Sequence, residues 1–188
     1  VPYDIMISGY DTQGVSVLRL WTAKSPSFDM ESFNRGDYAN ALGGNTSAEV
    51  ISKILYPNDN HPQGKALRLK QQYFLTSASI HDIIRRHVTT YGSMDNFAEK
   101  NAIHINDTHP TLAIPELMRM LLDEFNYSWD QAWNIVTRTF AYTNHTVMSE
   151  ALECWNEDMF RALLPRIYQI VKEIDNRWKQ QLYKEAHL

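Results

Sequence analysis

Ile103-His104-Ile105-Asn106 alternates apolar and polar side chains as a short strand does, then breaks into Asp107-Thr108-His109-Pro110. Farther along, Phe140-Ala141-Tyr142-Thr143-Asn144-His145-Thr146 repeats the design. Helical patterns fill the interval. Two strands joined through helices are normally parallel neighbours with a right-handed crossover. Their carboxyl ends then fall on one edge of the sheet, where open α/β folds bind ligands. Asp107, His109 and His145 are therefore expected to share one cleft.

The remaining pattern suits a helix-rich α/β unit. Asp4-Ile5-Met6-Ile7 and Val15–Trp21 read as strands around a turn at Gly9 to Gly14. A short helix is expected over Phe33–Leu42, and Thr46-Ser47-Ala48-Glu49 has capping-box spacing for another through Leu55. Tyr56 to Gly64 holds two prolines, two asparagines, Asp59 and a glycine, and reads as a loop. Leu69, Tyr73, Ile80, Ile83, Ile84 and His87 keep a helical period, so a long, mostly buried helix is expected from Lys65 to about Val88. Thr89 to Lys100 reads as polar connection. Helices follow at Thr111–Phe125, where Pro115 lies near the first turn, and from the second capping box Ser128-Trp129-Asp130-Gln131 to about Thr137. Met148 to Trp155 reads as a turn or short helix, and a stripe from Leu163 to Leu182 marks a long final helix. No linker divides the chain, which reads as one unit.

Composition narrows the function classes. A net charge of −4 with dispersed Lys and Arg gives no reason to expect nucleic acid or an anionic membrane as partner. No apolar run approaches the roughly 20 residues of a membrane helix. One cysteine, Cys154, excludes an internal disulfide framework and fits a reducing compartment. Val1-Pro2-Tyr3-Asp4 has no signal-peptide character and reads as a chain cut from something longer.

The residues leave several chemistries open. Asp107 and Thr108 before Pro110 can cap the helix that follows, or Asp107, His109 and His145 can orient a hydroxyl-bearing or anionic ligand or move protons. His104, Asp107, His109 and His145 could supply metal ligands, but the spacing matches no helical two-His zinc signature, and His104 is expected to face away from the others. Cys154 has no base beside it, and no Gly-x-Ser-x-Gly elbow, P-loop or Gly-x-Gly-x-x-Gly is present. Tyr56 can anchor its loop by packing or serve as a stacking platform for a sugar ring. The residues alone favour the anchor. Asp59 and Asn60 are ordinary turn residues that also offer hydrogen bonds to hydroxyls.

Three blocks together are more specific. Tyr56-Pro57-Asn58-Asp59-Asn60 with Gly64 to Gln71, Ile105 to Pro110 with Ile114-Pro115-Glu116-Leu117, and Ala141 to Val147 with Glu150-Ala151-Leu152-Glu153 keep order and spacing. They closely resemble the α-glucan (glycogen, starch, maltodextrin) phosphorylase family, and the likeness covers essentially the whole chain. That resemblance implies phosphorolysis of a terminal α-1,4 bond to α-glucose 1-phosphate with retention. It implies pyridoxal phosphate acting through its phosphate group, and two Rossmann-like domains of GT-B type facing across a cleft. Residues 1–188 then correspond to the later part of the N-terminal, glucan-side domain in a cytoplasmic enzyme.

The resemblance also implies roles. His145 matches the histidine that contacts the reacting glucosyl unit, its main-chain carbonyl favouring positive charge on the sugar ring. Asp59 and Asn60 match a gate loop, and Tyr56 matches a tyrosine that stacks on a glucan ring, which reverses the anchor preference. Asp107 and His109 match residues lining the cleft, and Glu153 an acidic residue of the same channel. Tyr38 to about Val50 resembles the segment that crosses to the partner subunit of a homodimer.

Departures from the family shape further expectations. His61-Pro62 replaces an aromatic pair found in animal enzymes, and Tyr91 to Lys100 is short and lacks the arginines that bind an activating nucleotide there. No such allosteric site is expected, as in bacterial-type members. The cofactor lysine motif, the phosphate-binding Arg/Lys cluster and the early glycine-rich loop do not occur in this sequence. The chain alone is expected to hold neither pyridoxal phosphate nor metal and to be inactive. The competing class is a non-catalytic carbohydrate-binding module using Tyr56 and the strand-end histidines, and a metal-dependent hydrolase ranks after it.

Overall fold

A computed structural model describes residues 1–24, 30–37 and 48–186. They are mixed α/β, with small two-stranded sheets among helices. The chain forms two compact units, Val1–Leu75 and Thr76–Leu188. No linker marks the division in the sequence because it falls inside one continuous helix, Pro62–Tyr91.

In the first unit, β1 (Pro2–Ser8) and β2 (Val15–Trp21) pair antiparallel, with Tyr3 opposite Leu20 and Ile5 opposite Leu18. That face carries Tyr3, Ile5, Ile7, Leu18 and Leu20, each at least 40% exposed. The other face crosses an ion pair, Arg19 Nη2 to Asp4 Oδ2 at 2.6 Å, beside exposed Met6 and Val17. Among the described residues no third strand joins this hairpin, and these side chains stay exposed on both faces. α1 (Met30–Asn34) ends sooner than expected because Gly36, at φ +80°, turns the chain out of the helix. Its N–H reaches Phe33 O at 2.9 Å while Asp37 N–H reaches Ser32 O at 2.9 Å, which closes the last turn. Residues 38–42 of the expected helix, the capping residues Thr46 and Ser47, and most of the proposed subunit-crossing segment lie outside the described residues. α2 is helical over residues 48–53.

The loop after it stops short of Gly64, since α3 (Pro62–Tyr91) begins earlier than the expected Lys65. Proline is well placed as the first helical residue, where an N–H would have no helical partner. His61 supplies an unforeseen cap, its Nδ1 accepting the Gly64 N–H at 3.0 Å. The far end of α3 also passes the expected Val88, and Gly92 at φ +76° closes it, with its N–H on Val88 O at 2.8 Å.

The second unit confirms the strand pairing. β3 (Ile103–Asn106) and β4 (Phe140–Thr143) are parallel, Ile103 opposite Phe140 and Asn106 opposite Thr143. The stretch read as polar connection holds α4 (Phe97–Lys100), because Phe97 is fully buried in the core. α5 (Ala113–Asp123) and α6 (Trp129–Thr139) follow, the latter opened by the reciprocal Ser128 and Gln131 capping box. After a 3-10 turn at Ser149–Ala151 come α7 (Glu157–Leu163) and α8 (Pro165–Glu185). Leu163 therefore ends α7 rather than starting the final helix. Asn156 Oδ1 caps α7 through Met159 N–H at 2.9 Å, and Pro165 starts α8.

α5 packs on α6 and α8, and their apolar faces meet Ile80 and Ile84 of α3 and Ile105 of β3 in one core. Burying each such side chain stabilises the fold by roughly 1.5–3 kcal/mol. The α8 stripe outruns this core, leaving Trp178 and Leu182 exposed.

Candidate active-site elements

At the carboxyl end of β3 the chain turns sharply, and Asp107 takes the left-handed conformation, φ +62°. The ladder persists for one more bond, Asp107 N–H to Thr143 O at 2.8 Å. This turn aims the Asp107 side chain across to the β4 exit, where Oδ1 accepts the His145 main-chain N–H at 2.7 Å. The same oxygen lies 3.4 Å from His145 Nδ1. Asp107 and His145, placed on one edge by sequence reasoning, are thus in direct contact. Chiefly the His145 N–H, with smaller contributions from the His145 and His109 rings, holds the Asp107 carboxyl below its ordinary value against partial burial. The His145 side chain is 58% exposed and His109 is exposed, so both imidazoles face solvent.

Asp107 therefore anchors the neighbouring strand exit, and the α5 N-terminus takes no side-chain cap. Its neighbour Thr108 does related work. Thr108 Oγ1 accepts Glu153 N–H at 3.1 Å and donates to Ala151 O at 3.5 Å. Glu153, half-buried, is brought to the same edge. His104 Nε2 lies 2.8 Å from Thr143 Oγ1, while Ile105 between His104 and Asn106 points into the core. Among the described residues, no group of three or more His, Cys, Asp and Glu side chains is gathered as a metal site would need. Cys154 is exposed.

Beneath this edge α5 carries a group that sequence reasoning missed. Glu116 is fully buried, yet its carboxylate accepts Arg119 Nε at 2.9 Å, Arg119 Nη2 at 3.0 Å and Ser77 Oγ at 2.9 Å, with His81 Nε2 3.3 Å away. The paired fork and hydroxyl offset the cost of removing the charge from water. An acid and an arginine one turn apart on an otherwise apolar helix face was the available signal.

In the first unit, Tyr56 has φ +54° and is 88% exposed, so it does not anchor its loop by packing. The loop is held from its other residues. Asp59 Oδ2 accepts Arg68 Nη1 at 3.0 Å, Asn58 Oδ1 accepts Asn60 N–H at 3.0 Å, and Gln71 Nε2 donates to Ile54 O at 2.6 Å. A Cβ on Gly64 would lie 1.8 Å from Asn58 O, so only glycine lets the loop fold back on the first turn of α3. Tyr56 is presented from a backbone tied down on either side.

Comparison with known proteins adds to this geometry. A family model described as carbohydrate phosphorylase matches residues 1–187. The glycogen phosphorylase of Pasteurella multocida is 51% identical over 175 residues, 93% of this chain and 21% of the relative. That of Bacillus subtilis is 48% identical over 190 residues, covering 98% and 22%. The human muscle form is 49% identical over 187 residues, covering 95% and 22%. The chain spans about a fifth of the length of these curated relatives.

Proposed function

The chain belongs to the carbohydrate phosphorylase family, and on that premise we propose that it is the glucan-side part of a longer enzyme. That enzyme releases α-glucose 1-phosphate from an α-1,4-glucan or maltodextrin with inorganic phosphate. The observation that carries this reading is identity near one half to glycogen phosphorylases along nearly the whole chain. The finer architecture, part of a Rossmann-like domain in a two-domain GT-B enzyme, belongs to the same proposal. So do a cytoplasmic location and a homodimer through Tyr38 to about Val50.

In this reading His145 contacts the reacting glucosyl unit. Its main-chain carbonyl faces charge developing on the sugar ring, an interaction stronger in the transition state than in the ground state. Asp107 and His109 line the sugar channel, and Glu153 adds an acidic hydrogen-bond acceptor. Tyr56 offers a ring face for stacking, while Asp59 and Asn60 offer polar groups to sugar hydroxyls. The exposure of Tyr56 and of both imidazoles supports a role in contacting a ligand.

Pyridoxal phosphate does not fit the residues present. Every lysine of the chain is exposed, and none is desolvated as a Schiff-base lysine is. The cofactor and its proton chemistry are assigned to a part of the longer protein outside this chain. Phosphorolysis of maltoheptaose by the full-length gene product, with its pyridoxal absorbance band, tests the reading, and absence of both would overturn it. The purified 188-residue chain is expected to be inactive in the same assay. Turnover by it would refute the division of labour.

A further inference from the structure

The segment that carries His145 and Glu153 is not held by burial. From Asn144 to Cys154 no residue is buried, and Val147, Met148 and Leu152 leave their apolar side chains in solvent. Its regular structure is a single 3-10 turn, Ser149–Ala151. A segment without buried apolar groups is positioned by its polar ties. Two such ties come from consecutive residues of one strand exit. Asp107 Oδ1 takes the His145 N–H at 2.7 Å, and Thr108 Oγ1 takes the Glu153 N–H at 3.1 Å while reaching Ala151 O at 3.5 Å. Asp107 also donates its own N–H to Thr143 O at 2.8 Å, just before the segment leaves β4.

We propose that Asp107 and Thr108 are positioning residues, a two-point clamp that sets where His145 and Glu153 stand for the glucan. The clamp rests on the functional reading above, but its chemistry belongs to Thr108 as much as to Asp107. The Thr108 hydroxyl accepts from one main-chain group and donates to another, so serine can replace it and valine, with the same shape, cannot. The strand end is fastened to the core by Ile105, two residues before Asp107, which is buried. Mechanical definition passes from that core through Asp107 and Thr108 to a segment that buries no residue of its own.

The experiment compares Thr108→Val, Thr108→Ser and wild type in the full-length enzyme. Amide hydrogen exchange over residues 144–154 and the KM and kcat for maltoheptaose are both measured. Loss of the hydroxyl is expected to speed exchange in that segment about fivefold and to raise KM by a similar factor, as one hydrogen bond supplies. Thr108→Ser is expected to restore both. Thr108→Ala serves the same comparison if the valine variant does not fold. Wild-type exchange in the hydroxyl-less variant overturns the clamp. Faster exchange with unchanged KM and kcat overturns its role in positioning, as does a lower Tm with unaltered constants. A wild-type enzyme that does not phosphorolyse maltoheptaose overturns the functional reading instead, while the exchange comparison still decides the clamp.

Discussion

Asp107 and His145 follow the ends of separate strands, and the Asp107 carboxylate holds the His145 main-chain N–H at 2.7 Å, just beyond the last paired residues of a parallel ladder. Two strand exits are thereby joined by a side chain where the backbone ladder ends. The contact is local, charged on one side and open to solvent on the other.

This tie carries a pH dependence. The His145 N–H lowers the Asp107 pKa in the folded chain, so the unfolded chain binds its proton more readily. The stabilisation is complete above the ordinary value of 3.8 and is lost as pH falls through the lower folded value. Protection of the His145 amide, followed by NMR, should hold from neutral pH down to that range and then collapse. Asp107→Asn keeps an acceptor without the charge and should remove the acid-side step.

The proposed role of His145 predicts that His145→Ala in the full-length protein lowers kcat/KM for maltodextrin by about tenfold, the loss of one sugar contact worth about 1.4 kcal/mol. The main-chain carbonyl survives the substitution, so activity should fall without vanishing. Steady-state kinetics checks both parts.

Arg119→Ala removes the bidentate guanidinium from the buried Glu116 carboxylate. Removing one partner of a buried ion pair costs about 3 kcal/mol or more. Urea unfolding should show a lower midpoint with an unchanged slope.

Gly64→Ala forces a methyl group into Asn58 O, which must move by more than an ångström because a Cβ there would lie 1.8 Å from it. Limited proteolysis should then cut within residues 56–61 faster than in the wild type, and Tm should fall. Equal cleavage would show that the loop has room the geometry denies it.

The hairpin makes a different kind of prediction. Tyr3, Ile5, Ile7, Leu18 and Leu20 form an uncovered apolar face, so the 188-residue chain should bind the dye ANS. Ile5→Lys with Leu18→Lys should reduce the fluorescence markedly. An equal signal from the double variant would place the dye elsewhere.

Periodicity and short polar motifs determined a good deal by themselves. Strand alternation and the helical interval between 103–106 and 140–143 were enough to call for parallel pairing, since a crossover of that length has few other solutions. The same pattern put Asp107 and His145 on one edge, and the three sequence blocks already resembled the family that the comparisons identify. Element ends were less legible. Pro62 reads as a breaker until its place as first helical residue is known, and Gly36 and Gly92 act through φ values that composition does not announce. The missed helix at Phe97 was decided by burial, which depends on what lies opposite. Only the tertiary structure decided that Asp107 grips the His145 backbone, that Thr108 holds Glu153, and that Glu116 is buried and still paired. Apart from the Arg119 fork one turn along α5, each depends on atoms dozens of residues apart being set to within a fraction of an ångström. A sequence pattern specifies which face a side chain takes, whereas a hydrogen bond requires its distance and angle as well.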